Sequence, residues 1–201
     1  NLGFTKPDPV NGGGSGTEND PYIIENWDIN ASSANGIEIR NTTAYFIIRN
    51  CYVHDEKSYW KEGIYLYNVT NGRIENNTAE NNWFGIYLDY SNNNVVENST
   101  ARNNLGGIFL WDSDNNLISS IVSENNPLFE GYASAGIILA NSSNNTLTNN
   151  ACDNNFFGIY DSSSSNNTLD NNTCNHNFRG IHLDDSNNET LINNILSNNR
   201  Y

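Results

Sequence analysis

The chain has no methionine, few basic residues and no long apolar run. Its 201 residues include 9 Lys and Arg against 23 Asp and Glu, which gives a formal net charge of −14. This charge would repel the phosphates of nucleic acids and anionic membrane surfaces, so we expect neither as a partner. Because no apolar stretch approaches the roughly 18 residues that cross a bilayer, the sequence predicts no membrane span. The lack of an initiator methionine indicates a processed product or a fragment of a longer protein.

Asparagine is the residue that the chain has in excess, at 43 of 201 positions. A strong polar bias is typical of disordered chains, which are also poor in aromatic residues. This chain has 11 Tyr, 8 Phe and 4 Trp, so we expect it to fold.

An internal repeat begins at the dipeptide Gly-Ile. Four of its six intervals are 22 residues long, and the other two, of 27 and 29 residues, contain insertions. The dipeptide begins at Gly36, Gly63, Gly85, Gly107, Gly136, Gly158 and Gly180. When each glycine is counted as position 1, apolar residues recur at positions 2, 4, 12 and 17 and alternate with other residues. This alternation is typical of β-strands, and no segment has helical spacing over two turns.

These spacings predict an all-β protein, a right-handed parallel β-helix (solenoid) with three short strands in each coil of about 22 residues. We expect about seven to eight coils, formed by residues 22–201, and an N-terminal capping segment at residues 1–21. A single coil cannot bury its apolar face, so stability must accumulate between neighbouring coils.

Stacked coils place equal positions above one another, which predicts an asparagine ladder at position 14. Stacked amides can pair with each other and with backbone groups at a bend. Position 14 holds Asn26, Asn50, Asn76, Asn98, Ser120, Asn149, Asn171 and Asn193, and a second column is expected at position 19. Asparagine at position 9 is expected to be a solvated turn residue, because it tolerates left-handed backbone geometry.

The glycine-rich opening of the repeats carries a resemblance to a known family. The segment 12–29, Gly-Gly-Gly-Ser-Gly-Thr-Glu-Asn-Asp-Pro-Tyr-Ile-Ile-Glu-Asn-Trp-Asp-Ile, and the Gly-Ile-x-Leu coils after it resemble the NosD-like right-handed β-helix repeat proteins. The resemblance covers nearly the whole chain and implies a secreted or cell-surface protein of a kind abundant in archaea. It does not specify a function, because such repeats occur in surface-layer proteins, adhesins, polysaccharide lyases, hydrolases, epimerases and copper-site accessory proteins.

Copper is the metal that the family name suggests, and the sequence does not favour it. A copper site needs converging His, Cys or Met ligands. The chain lacks Met, and His54, His176 and His182 fall in different coils or on different strands. We therefore expect no required cofactor.

The resemblance implies that a polysaccharide would be bound or cleaved on the face made by the first strand of each coil. Aromatic rings there can stack on sugars, and carboxylates about 5–9 Å apart can perform glycoside chemistry. The candidate residues at positions 3 and 5 are Tyr65, Tyr87, Asp89, Phe109, Trp111, Tyr160 and Asp184. The same aromatic column could instead stabilise the sheet by cross-strand stacking.

Two features of this face argue against catalysis. It has no Arg or Lys beyond Arg40, so the basic proton abstractor that a lyase would pair with a calcium-binding acid cluster is missing. The Asp-Pro-His run expected of a uronan epimerase is also absent. We therefore expect no lyase, hydrolase or epimerase activity.

Both insertions, 55–62 and 127–135, emerge at the same corner of the rod. They bring Tyr59, Trp60, Phe129 and Tyr132 to an edge that also carries Trp83. Some aromatic residues of this edge must pack inward, and the others form a candidate binding strip for a glycan or a protein. Trp60 and Trp83 are therefore added to the candidate ligand-binding residues.

Two groups of acidic residues depart from the repeat. Asp161 takes an inward position where the other coils have Leu or Ile, so it must be paired or its coil distorted, and the four serines after it favour a rearranged corner. Asp112 and Asp114 offer alternating oxygen ligands for Ca²⁺. Because the glycine and terminal Glu of a calcium loop are absent, a solvated acidic turn is favoured and calcium is the alternative.

Three cysteines are present, and the odd count does not fix the redox compartment. Cys152 and Cys174 share position 17 of consecutive coils and should stack inward, where a bridge is geometrically compatible. Buried free thiols are the favoured interpretation. Cys51, at position 15, is expected to point outward.

Asn-x-Ser/Thr sequons provide candidate glycosylation sites in an extracellular protein. The candidate acceptors are Asn30, Asn41, Asn68, Asn141, Asn144, Asn166 and Asn188. Three further sequons begin at ladder positions Asn76, Asn98 and Asn171, which folding is expected to hide.

Together these features predict a non-catalytic extracellular protein that builds or decorates a cell surface, a filament or a matrix. The alternative is a carbohydrate-active module that binds or cleaves polysaccharide on the first-strand face. No cap follows the last coil, residues 180–201, so we expect self-association or contact with neighbouring surface proteins there. A head-to-tail contact of this kind would produce a filament.

Overall fold

The computed structural model describes residues 13–54, 60–126 and 134–201 of the chain. Within these residues the 21 strands form three sheets, and all pairing between the strands is parallel. Successive strands enter the three sheets in turn, so the predicted parallel β-helix is confirmed, with about seven turns and a repeat of about 22 residues. None of the described residues belongs to a helix that could cross a membrane.

The three sheets run the length of the rod. The eight-stranded sheet holds β1 (Tyr22–Glu25), β4 (Phe46–Arg49), β7 (Gly72–Glu75), β10 (Val95–Glu97), β13 (Leu117–Ser119), β16 (Thr146–Thr148), β19 (Thr168–Asp170) and β21 (Thr190–Ile192). The six-stranded sheet holds β2 (Asp28–Asn30), β5 (Tyr52–His54), β8 (Thr78–Glu80), β11 (Thr100–Arg102), β14 (Val122–Glu124) and β17 (Ala151–Asp153). The seven-stranded sheet, called here the first-strand sheet, holds β3 (Ile37–Thr42), β6 (Ile64–Val69), β9 (Phe84–Asp89), β12 (Gly106–Trp111), β15 (Ala135–Ala140), β18 (Phe157–Ser162) and β20 (Arg179–Asp184).

Equal repeat positions lie above one another because neighbouring strands pair in register. Ile86 pairs with Ile64 on one side and with Ile108 on the other. The inward columns at positions 2, 4, 12 and 17 form one core that is almost fully buried through the central coils. Burying each Leu or Ile side chain contributes about 1.5–3 kcal/mol, so each coil is stabilised mainly by its two neighbours.

The asparagine ladders lie one position later than predicted. Asn150, at position 15, is buried; its Nδ2 donates to the Ile118 carbonyl at 3.0 Å, and its Oδ1 accepts from the Ile121 amide at 2.9 Å. Asn149, at the predicted position 14, is exposed and has a φ of 57°. The left-handed residue turns the chain at the corner, so its own side chain points outward and the next one points inward.

The same displacement applies to the second predicted ladder, because position 20 is buried and position 19 carries positive φ. Position 10 forms a third ladder, preceded by the expected solvated turn at position 9. The buried ladder residues are Asn94, Asn116, Asn145 and Asn167 at position 10, Asn77, Asn150 and Asn172 at position 15, and Asn82, Asn104, Asn126, Asn155 and Asn177 at position 20. Position 9 has φ values of 57–59° at Asn93, Asn115, Asn144, Asn166 and Asn188, which confirms that prediction.

Two further expectations are wrong because they also assumed that position 14, and not position 15, points inward. Asn76, Asn98 and Asn171 are exposed corner residues, so their sequons are not hidden. Cys51 is only 2% exposed because position 15 is an inward column, and its backbone amide donates to Asn77 Oδ1 at 2.9 Å. Cys152 and Cys174 are buried free thiols in the position-17 column, as the favoured interpretation predicts.

Asp161 is paired, and its coil is not rearranged. Strand β18 keeps the register of its neighbours, with Asp161 aligned to Leu139 and Leu183. The buried carboxylate accepts from Asn167 Nδ2 and from Ser186 Oγ, each at 3.1 Å. The expected distortion is therefore wrong, and the serines after Asp161 form an ordinary corner of the coil.

The two ends of the rod differ in structure. Of the predicted capping segment, residues 1–12 lie outside the described residues, and within residues 13–21 Thr17 and Asp20 form an antiparallel bridge. At the other end, apolar side chains of the last coil are exposed: Leu191 by 45%, Ile195 by 56% and Leu196 by 50%. Self-association through that coil stays a prediction.

Candidate functional site

A cleft of about 480 Å³ lies on the outer face of the first-strand sheet. Strand β15 supplies its floor through Ile138 and Ala140, the side chains at positions 3 and 5 of that coil. The preceding coil has Phe109 and Trp111 at these positions, and the following coil has Tyr160. The cleft lies where Ile138, Ala140 and Ser162 leave space beside the larger side chains of Phe109, Trp111 and Tyr160.

Aromatic rings form much of the cleft wall. Tyr87 and Phe109 stack with centroids 4.9 Å apart and an angle of 13°, and Trp111 meets Phe109 edge-on at 6.0 Å. At the corner before the sheet, Trp60 stacks on Trp83 at 4.4 Å. Trp60 and Trp111 are exposed by 61% and 38%, and exposed aromatic faces bind the apolar faces of sugar rings by stacking.

Glu62 is the acidic residue of the cleft lining, which includes no Lys, Arg or His among the described residues. Its Oε2 accepts from the Phe84 amide at 2.9 Å, and its own amide donates to Asn35 Oδ1 at 3.0 Å. Burial among the aromatic residues raises the pKa of Glu62 from its ordinary value to about 7, against the opposing effects of the Phe84 amide and Lys61. The protonated form of this side chain is therefore present in a pH range where an ordinary Glu is fully ionised.

The tyrosines of the face are held in their phenol form. Tyr65 donates to Asp89 Oδ2 at 2.6 Å. Burial, and then the Asp89 carboxylate, raise the pKa of Tyr65 well above its ordinary value, and the same two causes act on Tyr87. A phenol whose pKa is raised is a poor proton abstractor, so these tyrosines are suited to hydrogen bonding.

The structure brings most of the predicted ligand-binding residues together. The cleft is lined by Trp60, Trp83, Tyr87, Phe109, Trp111 and Tyr160. Tyr65, Asp89 and Asp184 lie on the same sheet outside the lining, and Asp184 accepts from the Tyr160 phenol at 3.1 Å. Tyr59, Phe129 and Tyr132, which were predicted to join this edge, lie outside the described residues.

Glu62 was missed by the sequence analysis, although the sequence contains a signal for it. The residue before the Gly-Ile dipeptide is Phe84 or Phe157 in two other coils, and Glu62 takes that place in its coil. An acid at a position that is aromatic in the next coil indicates a carboxyl group beside apolar side chains, which is where perturbed pKa values are found.

The carboxylates that were considered for glycoside chemistry are too far apart to act as a pair. Asp89 and Asp184 share position 5, but four strand spacings separate β9 from β20, which is roughly 19 Å. Glu62 lies level with Phe84, and Asp89 is five residues further along the strand, which is roughly 17 Å. Glycosidases place their two carboxyl groups about 5–9.5 Å apart.

The described residues do not provide a set of ligands that fits copper. His54 pairs with Asp28, His182 stacks on Phe157, and the three cysteines are buried separately from the histidines in the described part of the chain. No group of three or more His, Cys, Asp or Glu residues that could hold a metal occurs within residues 13–54, 60–126 and 134–201.

The candidate calcium residues have other partners. Asp114 Oδ1 accepts from the Ser143 amide at 2.6 Å, and the Asp112 carboxylate pairs with the Tyr90 phenol. A calcium site there stays a prediction.

The candidate glycosylation sites are exposed residues that lie at corners or within strands β2, β3 and β6. They are Asn30, Asn41, Asn68, Asn141, Asn144, Asn166 and Asn188. Two of them are stacked, because Asn68 Nδ2 donates to Asn41 Oδ1 at 2.9 Å. Their occupancy by glycans stays a prediction.

Comparisons with known proteins agree on the fold. Residues 14–201 match the family model described as "Periplasmic copper-binding protein (NosD)". No curated protein is similar enough to count as a match.

Three solved structures illustrate the likeness. The periplasmic alginate epimerase AlgG is 22% identical with a TM-score of 0.71, over 89% of this chain and 48% of AlgG. The alginate lyase from Paenibacillus sp. str. FPU-7 is 14% identical with a TM-score of 0.54, over 90% of this chain and 85% of the lyase. The enzymatically active domain of bacteriophage CBA120 tailspike protein 2 is 14% identical with a TM-score of 0.55, over 84% of this chain and 36% of that domain. The chain thus spans less than half the length of AlgG, and these likenesses concern the fold alone.

Proposed function

The chain belongs to the NosD family of periplasmic parallel β-helix proteins, and on that premise we propose that it binds polysaccharide in the aromatic cleft of its first-strand sheet. The family supports a location outside the cytoplasm, either periplasmic or extracellular. The observation that carries the proposal is the cleft itself, in which six aromatic residues predicted from the sequence come together around a small-residue floor.

The shape and the lining of the cleft suit a saccharide. Its floor is apolar, its rings can stack on sugar faces, and its rim offers the Tyr87 and Tyr160 phenols and the Ser162 hydroxyl as hydrogen-bonding groups. Alginate is named as the substrate of two proteins that share this fold, which makes polysaccharide a reasonable ligand class for the same face.

Binding without cleavage is the form of the function that we propose. The phenols of the face are held protonated, the cleft-lining residues described include no basic side chain, and the carboxylates considered above are too far apart for glycosidase chemistry. A protein of this kind could anchor or decorate a surface layer, filament or matrix by holding its polysaccharide. Assembly through the last coil is a further part of this proposal.

The proposal is tested by affinity electrophoresis and calorimetry of the full chain against a panel of neutral and acidic polysaccharides. We expect Trp111→Ala and Tyr160→Ala each to weaken binding about tenfold or more, because each removes a stacking face. Tyr52→Ala is the matched control, since Tyr52 and Trp111 are both 38% exposed but Tyr52 lies on the six-stranded sheet.

Two results would contradict the proposal. One is the absence of binding to every polysaccharide of the panel. The other is binding that Tyr52→Ala weakens as much as Trp111→Ala does. Cleavage of a bound polysaccharide that depends on Glu62 or Asp89 would contradict the non-catalytic part alone.

A further inference from the structure

We infer that the cleft binds uncharged stretches of polysaccharide and that Glu62 takes part in this binding as a neutral carboxylic acid that donates a hydrogen bond to a sugar oxygen. This inference rests on the proposed binding function and adds the ligand class and its pH dependence. Glu62 lies at the corner where the coil of Trp60 enters the first-strand sheet.

The backbone and one carboxyl oxygen of Glu62 are fixed by neighbouring coils. The Glu62 amide donates to Asn35 Oδ1 at 3.0 Å, and its Oε2 accepts from the Phe84 amide at 2.9 Å. The carboxyl group belongs to the cleft lining, beside the stacked pair of Trp60 and Trp83. A carboxyl group whose one oxygen accepts from the backbone can carry its proton on the other, where it donates.

Among the residues that the structure describes, the charged and titratable groups around Glu62 leave it without a strong counter-charge. Lys61, its neighbour in the chain, lowers the pKa of Glu62. On the adjacent strand β9, the titratable group that interacts with Glu62 is the phenol of Tyr87, and this phenol is protonated and therefore uncharged. Asn35 and Phe84 contribute neutral groups. Burial outweighs these contributions and raises the pKa of Glu62 to about 7, so the acid form dominates below neutral pH.

The charge of the site works against anionic sugars. A uronate carboxylate would enter a cleft whose described lining has no Lys, Arg or His to pair with it, on a molecule of net charge −14, and above pH 7 it would also meet the ionised Glu62. An uncharged sugar meets no such repulsion, and its hydroxyl and ring oxygens accept the hydrogen bond that the protonated Glu62 donates. When Glu62 ionises it loses that donor, so binding of a neutral sugar must weaken as pH rises through 7.

The test uses oligosaccharides that differ in charge and share their backbone. β-1,4-Mannohexaose and β-1,4-hexamannuronate form one matched pair, and cellohexaose and xylohexaose extend the neutral set. Calorimetric dissociation constants of the full chain are measured from pH 5.5 to 8.5. We expect a neutral oligosaccharide to bind about tenfold more weakly at pH 8 than at pH 6, because the fraction of protonated Glu62 falls by that factor. Hexamannuronate is expected not to bind at either pH.

The Glu62→Gln variant distinguishes the effect of the titratable proton from the effect of the side-chain shape. The amide keeps a donor at every pH, so this variant should bind the neutral sugar equally at pH 6 and pH 8, within about threefold of the native affinity at pH 6. Glu124→Gln makes the same chemical change on β14 of the six-stranded sheet and should keep the native pH profile. Carbon-13 NMR of the labelled Glu62 carboxyl gives its titration midpoint directly, which we expect near 7.

The outcomes distinguish this inference from the proposed function. Binding that requires Trp111 but is independent of pH, or that favours hexamannuronate, would overturn the inference and leave the binding function standing. A Glu62 midpoint below about 5 would do the same. Failure of all the oligosaccharides to bind at the cleft would overturn both.

Discussion

Consecutive corner residues of this β-helix have opposite roles, and asparagine is suited to both. The first residue of each pair has a positive φ, and the side chain of asparagine tolerates that conformation better than most others. The second points inward, where its amide offers a donor and an acceptor to backbone groups that the corner leaves unpaired. The excess of asparagine therefore follows from the number of corners.

Replacing the inward asparagine of a corner pair is expected to lower stability more than replacing the outward one. Asn150→Leu would leave the Ile121 amide and the Ile118 carbonyl buried without their partner, which we expect to lower the free energy of unfolding by about 2–4 kcal/mol. Asn149→Gly keeps a residue that accepts the φ of 57° and should change it by less than about 0.5 kcal/mol. Chemical denaturation of both variants measures the difference. Equal losses of stability would mean that the inward column is not what fixes the corners.

The ladder position could have been found from the sequence by a different criterion. Both members of each Asn-Asn pair look alike, so the abundance of asparagine does not distinguish them. The exceptions do, because position 14 admits only Asn and Ser, whereas position 15 also holds Cys51 and Ile121. Apolar residues can occupy an inward column but are strained at positive φ, and this contrast identifies the buried position.

At the scale of elements, the last two turns of the rod are joined by a pair of acids. Glu189 takes the ladder position that asparagine holds in earlier coils, and its Oε2 accepts from the Asn167 amide at 2.7 Å. Its Oε1 is buried with no hydrogen-bond partner, and Asp161 is the charged group that it faces. Burial, and then the Asp161 charge, raise the pKa of Glu189 to about 7, and burial raises that of Asp161. A proton on Glu189 would supply the missing donor.

This pair predicts a stability that declines with increasing pH. The pKa of Glu189 is higher in the folded state than its ordinary value, so its contribution is complete below about pH 4.5 and is lost as pH rises through 7. We expect the melting temperature to fall between pH 5 and pH 8, and Glu189→Gln to remove part of the fall because glutamine keeps a donor at every pH. Glu124→Gln, which removes a charge on another sheet, is the control. If Glu189→Gln left the fall of melting temperature with pH unchanged, a proton on Glu189 that is donated to Asp161 would be contradicted.

A second variant tests how much the buried carboxylate of Asp161 lowers the free energy of unfolding. Asn167 Nδ2 also donates to the Ser142 carbonyl, and two backbone carbonyl oxygens lie within 3.3 Å of Ser186 Oγ as alternative acceptors for its one proton, so neither depends on the Asp161 side chain alone. Asp161→Leu restores the apolar column of the other coils and should raise the free energy of unfolding by about 1–3 kcal/mol at pH 8. A loss of stability in chemical denaturation would show that the pair stabilises these coils.

At the scale of the whole molecule, the repeat and the site differ in how far they can be predicted. The fold follows from the Gly-Ile spacing, because in-register stacking requires the same inward residues in every coil. The cleft follows from a difference between coils, the small Ile138 and Ala140 beside the large Phe109, Trp111 and Tyr160. The aromatic column could be predicted from the sequence. The cleft within this column and the surroundings of Glu62 could not, because they depend on how the coils that flank the two insertions stack on each other.

The charge of the whole molecule leads to the last prediction. The arginines of the eight-stranded sheet are already shared between acids, since Arg49 lies between Glu25 and Glu75, and Arg73 between Glu75 and Glu97. Surface pairs of this kind contribute at most about 1 kcal/mol each, so they do not offset the mutual repulsion behind a net charge of −14.

Salt should therefore stabilise the fold, and most strongly where the acids are ionised. Raising NaCl from 20 mM to 500 mM shortens the screening length to about 4 Å, which suppresses repulsion between separated carboxylates more than attraction within close ion pairs. We expect the melting temperature to rise by several degrees at pH 8 and by clearly less at pH 4.5, where protonation has already reduced the negative charge. Thermal unfolding in NaCl and KCl at both pH values measures the effect. A fall with added salt, or an equal rise at the two pH values, would mean that the ion pairs or a general salt effect outweigh the self-repulsion of the rod.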